Sequence, residues 1–374
     1  MLNNSIRLFT IRGIEVGVHY SWLIIFLLMT WSLSVYVFPR EPTLPRGLAS
    51  LEYWILGVIT TVLLFVSVLL HELAHSFVAK ARGLEARSIT LFIFGGVSNL
   101  GGEPKSASTE FLVAVVGPLA SFALAGIAYG VALLVDEPRV AVVAGYLVFI
   151  NFILGVFNLI PGFPLDGGRV LRAILWGATG SLRKSTIWSG NVGKIVAWLM
   201  FGFGLFLLFD GNVINGIWFA AIAWFLHNAA AASIQQTVVE SRLGRVKARD
   251  VVRPLEVTAP PGISVAELVE TYMLPHNLRA VPVTDNTRLV GIVTISDVMR
   301  VPGEQRAKTF VAEIMGGRDG LHTVRGDARV LEAIELMAEH DLEQLPVIED
   351  ERLVGLLTRS DVMRQLQLRE ALNV

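Results

Sequence analysis

Two histidines and a glutamate, His71, Glu72 and His75, follow an apolar run that extends from residue 54 to residue 70. In an α-helix, positions i and i+4 lie on one face, so the imidazoles of His71 and His75 can reach a single ion. Glu72 lies about 100° round the same helix and can contact a water at that ion without becoming a ligand. This is the H-E-x-x-H arrangement of two zinc ligands and a general base. The spacing therefore predicts a metal site at which Glu72 moves a proton.

The position of these three residues in the chain supports a functional role. An ionisable group at hydrocarbon depth costs about 2.5 to 3.5 kcal/mol on insertion scales, so three together are expected to have a function. Lys80 and Arg82 lie a few residues downstream, which places the site about 13 Å inside one membrane surface. The alternative is that the three side chains only form hydrogen bonds between helices, or lie just outside the bilayer.

The composition is that of an integral membrane protein. Of 374 residues, 53% are hydrophobic and 17% are charged, and the mean hydropathy is +0.59. Soluble proteins average about 45 to 50% apolar and about 25% charged residues. The net charge of −1 gives no indication of a nucleic-acid partner. The sequence contains no cysteine, so a metal would be held by histidine or carboxylate ligands.

Six apolar segments approach the roughly 20 residues that a membrane-spanning helix needs. They are expected near residues 17–38, 52–79, 109–135, 140–160, 190–209 and 213–232. The fifth contains Lys194 and only residues 210–212 separate it from the sixth, so a re-entrant pair is an alternative for these two. No small-residue cleavage site follows the first segment, which predicts an uncleaved first helix rather than a signal peptide.

Basic residues flank these segments on one side of the membrane. They are Arg7 and Arg12 before the first segment, Lys80, Arg82 and Arg87 after the second, and Arg169, Arg172, Arg183 and Lys184 after the fourth. Loops rich in lysine and arginine stay in the cytoplasm. We therefore expect a multi-pass protein of the cell membrane whose N-terminus and C-terminal region are cytoplasmic, with the metal site toward that side.

Residues 86–100, between the second and third segments, are rich in strand formers and end at Gly101 and Gly102. A short strand or hairpin is expected to dip toward the membrane here. An unpaired strand edge between Ile89 and Val97 could then receive an extended peptide beside the metal. A solvent-exposed loop is the alternative.

An internal repeat begins near Arg249, where the composition becomes that of a soluble domain. Residues 280–283 and 288–300 recur as residues 344–347 and 352–364. Each copy predicts the order strand, helix, strand, strand, helix. The expected domains are a membrane domain over 1–232, a linker over 233–248, and two repeats over 249–303 and 304–374.

A catalytic zinc site takes three protein ligands, so two imidazoles require a third residue. Asp166 is the best candidate, because it follows an apolar segment in a stretch, residues 158–169, that holds two prolines. The glycines at 167 and 168 allow close backbone approach there. The alternative is a plain cytoplasmic turn, since proline, aspartate and glycine are common turn residues.

Together these two motifs resemble the site-2 protease family of intramembrane zinc metalloproteases. The resemblance covers about residues 15–232 and is carried by His71-Glu72-Leu73-Ala74-His75, by Asn158, Pro161 and Leu165-Asp166-Gly167, and by Gly95-Gly96 and Gly117-Pro118. It implies that His71, His75 and Asp166 bind one Zn²⁺ and that Glu72 activates water. It also implies that Asn158 holds the substrate or the developing oxyanion, and that Gly95 and Gly96 contact substrate. Ala74 stands where many relatives carry glycine, and alanine preserves the helix.

The C-terminal repeat resembles a pair of CBS domains, a module that commonly binds adenine nucleotides between its copies. Threonine and aspartate recur at one spacing, as Thr294 and Asp297 and as Thr358 and Asp361. The resemblance implies that they bind phosphate and ribose of ATP or another adenine nucleotide, and that the chain forms a homodimer through this module. The alternative is that the same residues cap the following helix, with Ser296 or Asp297 at its start.

The expected fold is a polytopic α-helical membrane domain, with about six transmembrane helices and a short membrane-associated β segment, joined to a soluble α/β CBS-pair domain. The expected function is regulated intramembrane proteolysis of a single-span membrane protein. The family resemblance suggests a membrane-tethered transcription regulator, or its inhibitor, as that client. A cation transporter or channel with a CBS gate is the main alternative, although the membrane segments show no internal repeat. A catalytically silent membrane chaperone is another.

Overall fold

A computed structural model describes residues 5–102, 104–244, 246–254, 257–286, 288–317, 321–350 and 352–372. The chain divides into two units, Met1–Gln235 and Gln236–Val374. The first holds the apolar segments and the second holds the repeat.

Seven α-helices begin within the described residues of the first unit. They are α1 (Ser21–Ser32), α2 (Ser50–Ala81), α3 (Ala107–Leu134), α4 (Pro138–Asn158), α5 (Asp166–Thr179), α6 (Leu182–Phe209) and α7 (Val213–Leu243). A π-helical turn, Leu33–Val37, and a 3-10 turn, Phe38–Arg40, extend α1. Six spans in the described residues are long and apolar enough to cross a membrane, which confirms the expected fold class. The first consists of α1 and these two turns, and the others lie in α2, α3, α4, α6 and α7.

The helix boundaries refine the sequence predictions in three places. The spans of α6 and α7 contain 28 and 29 residues, each enough for a full crossing. Helix α7 ends at Leu243, so it continues into the residues expected to form a linker. The residues after Leu165 form the amphipathic helix α5, where the alternative was a plain turn.

A four-stranded sheet accompanies these helices. Its strands are β1 (Ser5–Ile11), β2 (Ile14–His19), β3 (Glu85–Phe92) and β4 (Gly95–Gly101), and they pair in that order. The β3–β4 pair is the expected hairpin, and β2 pairs with β3 in parallel. The sequence patterns did not predict β1 and β2. A two-residue turn connects these strands, and its residues Arg12 and Gly13 both have positive φ. Strand β3 is paired on both sides. Within the described residues, β4 is therefore the strand of this hairpin that lies at the edge of the sheet.

The second unit contains the two copies of the repeat around one seven-stranded sheet. Its strands are β5 (Arg253–Pro254), β6 (Ala280–Asp285), β7 (Arg288–Thr294), β8 (Gly316–Gly317), β9 (Val324–Arg325), β10 (Gln344–Glu349) and β11 (Arg352–Thr358), and its helices are α8 (Val265–Glu267), α9 (Ile295–Met299), α10 (Val311–Ile314), α11 (Val330–Glu339) and α12 (Arg359–Ala371). Shorter helical turns are Ala248–Asp250, Leu268–Met273 and Gly303–Gln305.

The two copies have matching registers. Ala280 pairs with Thr294 in the β6–β7 hairpin, and Gln344 pairs with Thr358 in the β10–β11 hairpin. Each copy contributes a buried core, and the core of the second copy also includes Leu243, Val246, Ala248 and Val251. The predicted order of strand, helix, strand, strand, helix is therefore present in both.

Candidate metal centre and active site

Helices α2 and α5 bring the three predicted ligands together. Asp166 is the first residue of α5, and its Oδ2 lies 3.1 Å from Nε2 of His71 and 3.1 Å from Nε2 of His75. The two Nε2 atoms are 3.2 Å apart. Among the described residues these three form a cluster of metal-ligating atoms within 4.8 Å of one another. Two neutral imidazoles and one carboxylate are a donor set that suits Zn²⁺.

The negative charge of Asp166 also suits the binding of a cation. Burial alone would raise the pKa of the Asp166 carboxyl, but the neighbouring imidazoles of His71 and His75 hold that pKa below the ordinary value. Asp166 is therefore an ionised carboxylate at neutral pH. Both imidazoles are buried, with 3% of each residue exposed.

Helix α3 orients the two imidazoles. Nδ1 of His75 donates to the carbonyl oxygen of Val113 at 2.6 Å, and Nδ1 of His71 lies 2.9 Å from Oγ of Ser121. A proton on Nδ1 leaves the lone pair on Nε2 free, which is how an outer partner fixes the tautomer of a metal ligand. Sequence analysis did not identify Val113 or Ser121, because a backbone carbonyl and a lone serine give no motif.

The close approach of α3 depends on Gly117. A Cβ on this residue would lie 2.1 Å from Nε2 of His75 and 2.7 Å from Nε2 of His71. Real Cβ contacts are essentially never this short. The Gly117-Pro118 pair belongs to the family resemblance, and the structure places its glycine against Nε2 of both candidate ligands, His71 and His75.

The turn between α4 and α5 sets the position of Asp166. A Cβ on Gly167 would lie 2.3 Å from the carbonyl oxygen of Leu159, and one on Gly168 would lie 2.3 Å from the carbonyl carbon of Gly162. The glycines after Asp166 thus allow the backbone contact that the sequence predicted. Asn158 is the last residue of α4 and is half-buried, at the start of this turn.

Glu72 lies beside the edge strand. Its side chain packs so closely on Gly96 that a Cβ there would lie 2.5 Å from Glu72 Cγ. One turn further along α2, Oγ of Ser76 lies 2.8 Å from Oγ of Ser98 on β4. The predicted base and the predicted Gly95-Gly96 segment are therefore adjacent in the structure.

A buried asparagine that sequence analysis overlooked lies on α4. Asn151 is 1% exposed, and its Nδ2 donates to Oγ of Ser67 at 3.2 Å and to the carbonyl oxygen of Leu147 at 2.9 Å. Ser67 lies one helical turn before His71. The sequence signal for Asn151 is a polar amide side chain inside an apolar run.

The four candidate nucleotide residues form two helix caps. Oγ1 of Thr294 donates to Oδ2 of Asp297 at 2.6 Å, and the backbone N–H of Asp297 donates back to that hydroxyl at 3.3 Å. Thr358 and Asp361 repeat the arrangement at 2.5 and 3.2 Å. The capping alternative is therefore present in the structure. The N-cap of α9 is Thr294, however, so neither Ser296 nor Asp297 starts the helix.

Two cavities in the second unit are lined by residues of both copies. One of about 1120 Å³ is lined by Thr294, Thr358 and His322 among others. The other, of about 740 Å³, is lined by Thr358 and Asp361. Arg279 lines both. Ligand pockets typically measure about 300 to 1,000 Å³, so either cavity has room for a small molecule.

Known proteins match both parts of the chain. A sequence model of peptidase family M50 matches residues 59–142 and 137–207, and a model of the CBS domain matches residues 248–304 and 311–368. Zinc metalloprotease MJ0392 of Methanocaldococcus jannaschii is 32% identical over 375 residues, which cover 99% of this chain and 98% of the relative. Rip3 of Mycobacterium tuberculosis is 34% identical over 373 residues, covering 98% of this chain and 94% of the relative. A solved structure of a site-2 protease from Methanocaldococcus jannaschii is 34% identical and covers 62% of this chain and 95% of that one, with a TM-score of 0.44.

Proposed function

Because the chain belongs to peptidase family M50, a family of zinc metalloproteases, and carries a CBS pair, we propose that it is a regulated intramembrane protease. Its reaction is hydrolysis of a peptide bond within or near the transmembrane segment of a membrane-anchored protein. The observation that carries this proposal is the meeting of His71, His75 and Asp166 on helices of a multi-pass unit, with Glu72 beside a strand edge.

His71, His75 and Asp166 are the residues that would hold the zinc. The bound ion would polarise the scissile carbonyl and lower the pKa of water at the site. Glu72 then accepts the proton of the attacking water and returns it to the leaving amine. The amide N–H of Asn158 is suited to donate to the oxygen on which negative charge develops.

The substrate is expected to bind as a strand along β4. A transmembrane helix hides its carbonyl groups in internal hydrogen bonds, so it must unwind before one of them can reach the site. Pairing with an exposed strand edge satisfies the freed backbone groups and leaves a carbonyl accessible. This pairing is restricted to the β4 part of the segment 89–97, because β3 is already paired on both sides. Glu72 lies against that strand at Gly96.

The test is to purify the full chain in detergent and supply a panel of unrelated single-span membrane peptides. We expect about one zinc per chain and products whose masses place the cut within or next to the apolar segment. A zinc chelator should abolish cleavage, and added zinc should restore it. Bound metal without cleavage of any peptide would contradict the proposal and favour a cation transporter.

The CBS pair is proposed to respond to an adenine nucleotide. Support comes from the two cavities between the copies and from Arg279, which lines both of them and can pair with a phosphate. Thr294 and Thr358 also line the larger cavity, although their hydroxyl hydrogens are engaged in the helix caps.

Substitution Arg279→Ala is expected to weaken AMP or ATP binding by about 10- to 100-fold, because a hydrogen bond to a charged group contributes about 1.5 to 3 kcal/mol. Calorimetry on the full chain measures this. Arg364→Ala is the matched control, since Arg364 is an exposed residue of α12 outside the lining of either cavity. Unchanged binding in Arg279→Ala, or no binding to the wild type, would contradict the nucleotide proposal without affecting the protease proposal.

A further inference from the structure

One face of α3 provides the contacts of Val113 and Ser121 with Nδ1 of the two histidines. This face continues toward the start of the helix. Glu110, Val113, Gly117 and Ser121 follow one another at intervals of three or four residues, so they share that face. The last three contact the imidazoles. Glu110 lies beyond them, in the first turn of α3.

Glu110 is buried in an ion pair with α5. The residue is 0% exposed, and it is the one charged residue in the sequence of α3. Nε of Arg172 donates to its Oε1 at 2.5 Å, Nη2 of Arg172 contacts the same oxygen, and Nε of Arg169 lies 4.0 Å from it. The other carboxylate oxygen, Oε2, has no hydrogen-bond partner in the described residues. The polar contacts of this carboxylate are thus with the arginines of α5.

Arg172 is buried like its partner Glu110. It is 8% exposed, and its guanidinium lies 5.0 Å from the ring centroid of Phe163, in the turn that precedes α5. From the sequence, Arg172 is expected among the basic residues of a cytoplasmic loop. The structure instead places it inside the first unit, where it holds the α4–α5 turn and α3 together.

The ion pair acts on the helix that supplies the third ligand. Arg169 and Arg172 follow Asp166 within the first two turns of α5, so a shift of either arginine moves the start of the same rigid element. A charge-assisted arginine–carboxylate contact fixes distance and angle more tightly than apolar packing does. Buried ion pairs contribute little net stability compared with apolar pairs of similar size, so stability alone is a weak reason for this one.

We propose that Glu110 is a positioning residue for Asp166, acting through its ion pair with Arg172, so that a single face of α3 sets the geometry of all three metal ligands. His71 is oriented by Ser121, His75 by the Val113 carbonyl, and Asp166 by Glu110. The proposal rests on the zinc site of the proposed function.

The first test is the zinc dissociation constant of the full chain in detergent, measured by competition with a chelator. Glu110→Gln removes the charge and keeps the shape, and we expect zinc to bind about 10- to 100-fold more weakly, as when other partners of metal ligands are lost. Glu52→Gln is the matched control. Glu52 also pairs with an arginine of another helix, Arg139 at 2.8 Å, but near the opposite end of α2 from the histidines. Its zinc affinity should equal that of the wild type.

A double variant separates positioning from folding. Glu110→Met combined with Arg172→Met removes both buried charges and is expected to keep the fold, since an apolar pair replaces the ion pair. We expect it to unfold near the wild-type temperature and still to bind zinc at least about tenfold more weakly. Wild-type zinc affinity in a folded Glu110→Gln or double variant would overturn the inference alone. A wild-type chain that binds no zinc would overturn the proposed function as well.

Discussion

Substitution of Glu72 by glutamine is expected to slow peptide hydrolysis by about 10²- to 10⁴-fold while the protein keeps its zinc. An amide cannot accept the proton of the attacking water, and it cannot return that proton to the leaving amine. Glutamine has the same length as glutamate, so the contact with Gly96 should be preserved. The turnover number on a single-span peptide and the zinc content of the same preparation measure the two parts of this prediction.

Two further variants are needed to interpret a low turnover number in Glu72→Gln. His71→Ala should lose zinc and activity together, because His71 is one of three clustered ligands. Glu85→Gln should behave like the wild type, because Glu85 lies exposed at the start of β3 and pairs with the exposed Arg87. If Glu72→Gln kept more than a tenth of wild-type turnover, the general base would have to be another group.

The membrane helices and the candidate ligands could be predicted from the sequence because their signals are local. An apolar run of about 20 residues indicates a spanning helix, and an i, i+4 histidine pair indicates a shared ion. Asp166 required a second argument, from the number of ligands that a catalytic zinc takes. The structure brings all three together between α2 and α5.

Other features depend on contacts between distant segments, and local patterns do not encode these. Strand β2 pairs in parallel with β3 although α1 and α2 lie between them in the sequence. The charges before the first helix were interpreted only as topology signals, so the Arg12-Gly13 turn was overlooked. The Glu110–Arg172 pair joins residues on two helices that only packing brings together. A lone acidic residue in an apolar helix needs a partner, but the sequence around Glu110 does not indicate which residue that is.

Substitution Gly117→Ala is expected to weaken zinc binding by about 100-fold. The added Cβ would lie 2.1 Å from Nε2 of His75 and 2.7 Å from Nε2 of His71. Either the imidazoles or α3 must move. Because two candidate ligands are displaced at once, we expect a loss at the upper end of the roughly 10- to 100-fold range seen when the partners of metal ligands are changed. Helix propensity acts in the opposite direction, because alanine is more favourable than glycine in a helix interior by about 1 kcal/mol. Equilibrium dialysis against buffered zinc, together with the unfolding temperature, measures the two effects separately.

Helix α3 itself provides the controls for this change. A Cβ at Gly126 or Gly130 meets no atom within 4 Å, so alanine at either position should leave zinc affinity unchanged. The same chemical change on the same helix is then harmless away from the site and severe at Gly117. Wild-type zinc affinity in Gly117→Ala would mean that the metal does not occupy the space between His71, His75 and Asp166. A loss of affinity in Gly126→Ala as well would mean that α3 responds to any added methyl group. A loss confined to Gly117→Ala would show that the close approach of α3 to the two imidazoles is what maintains the metal site.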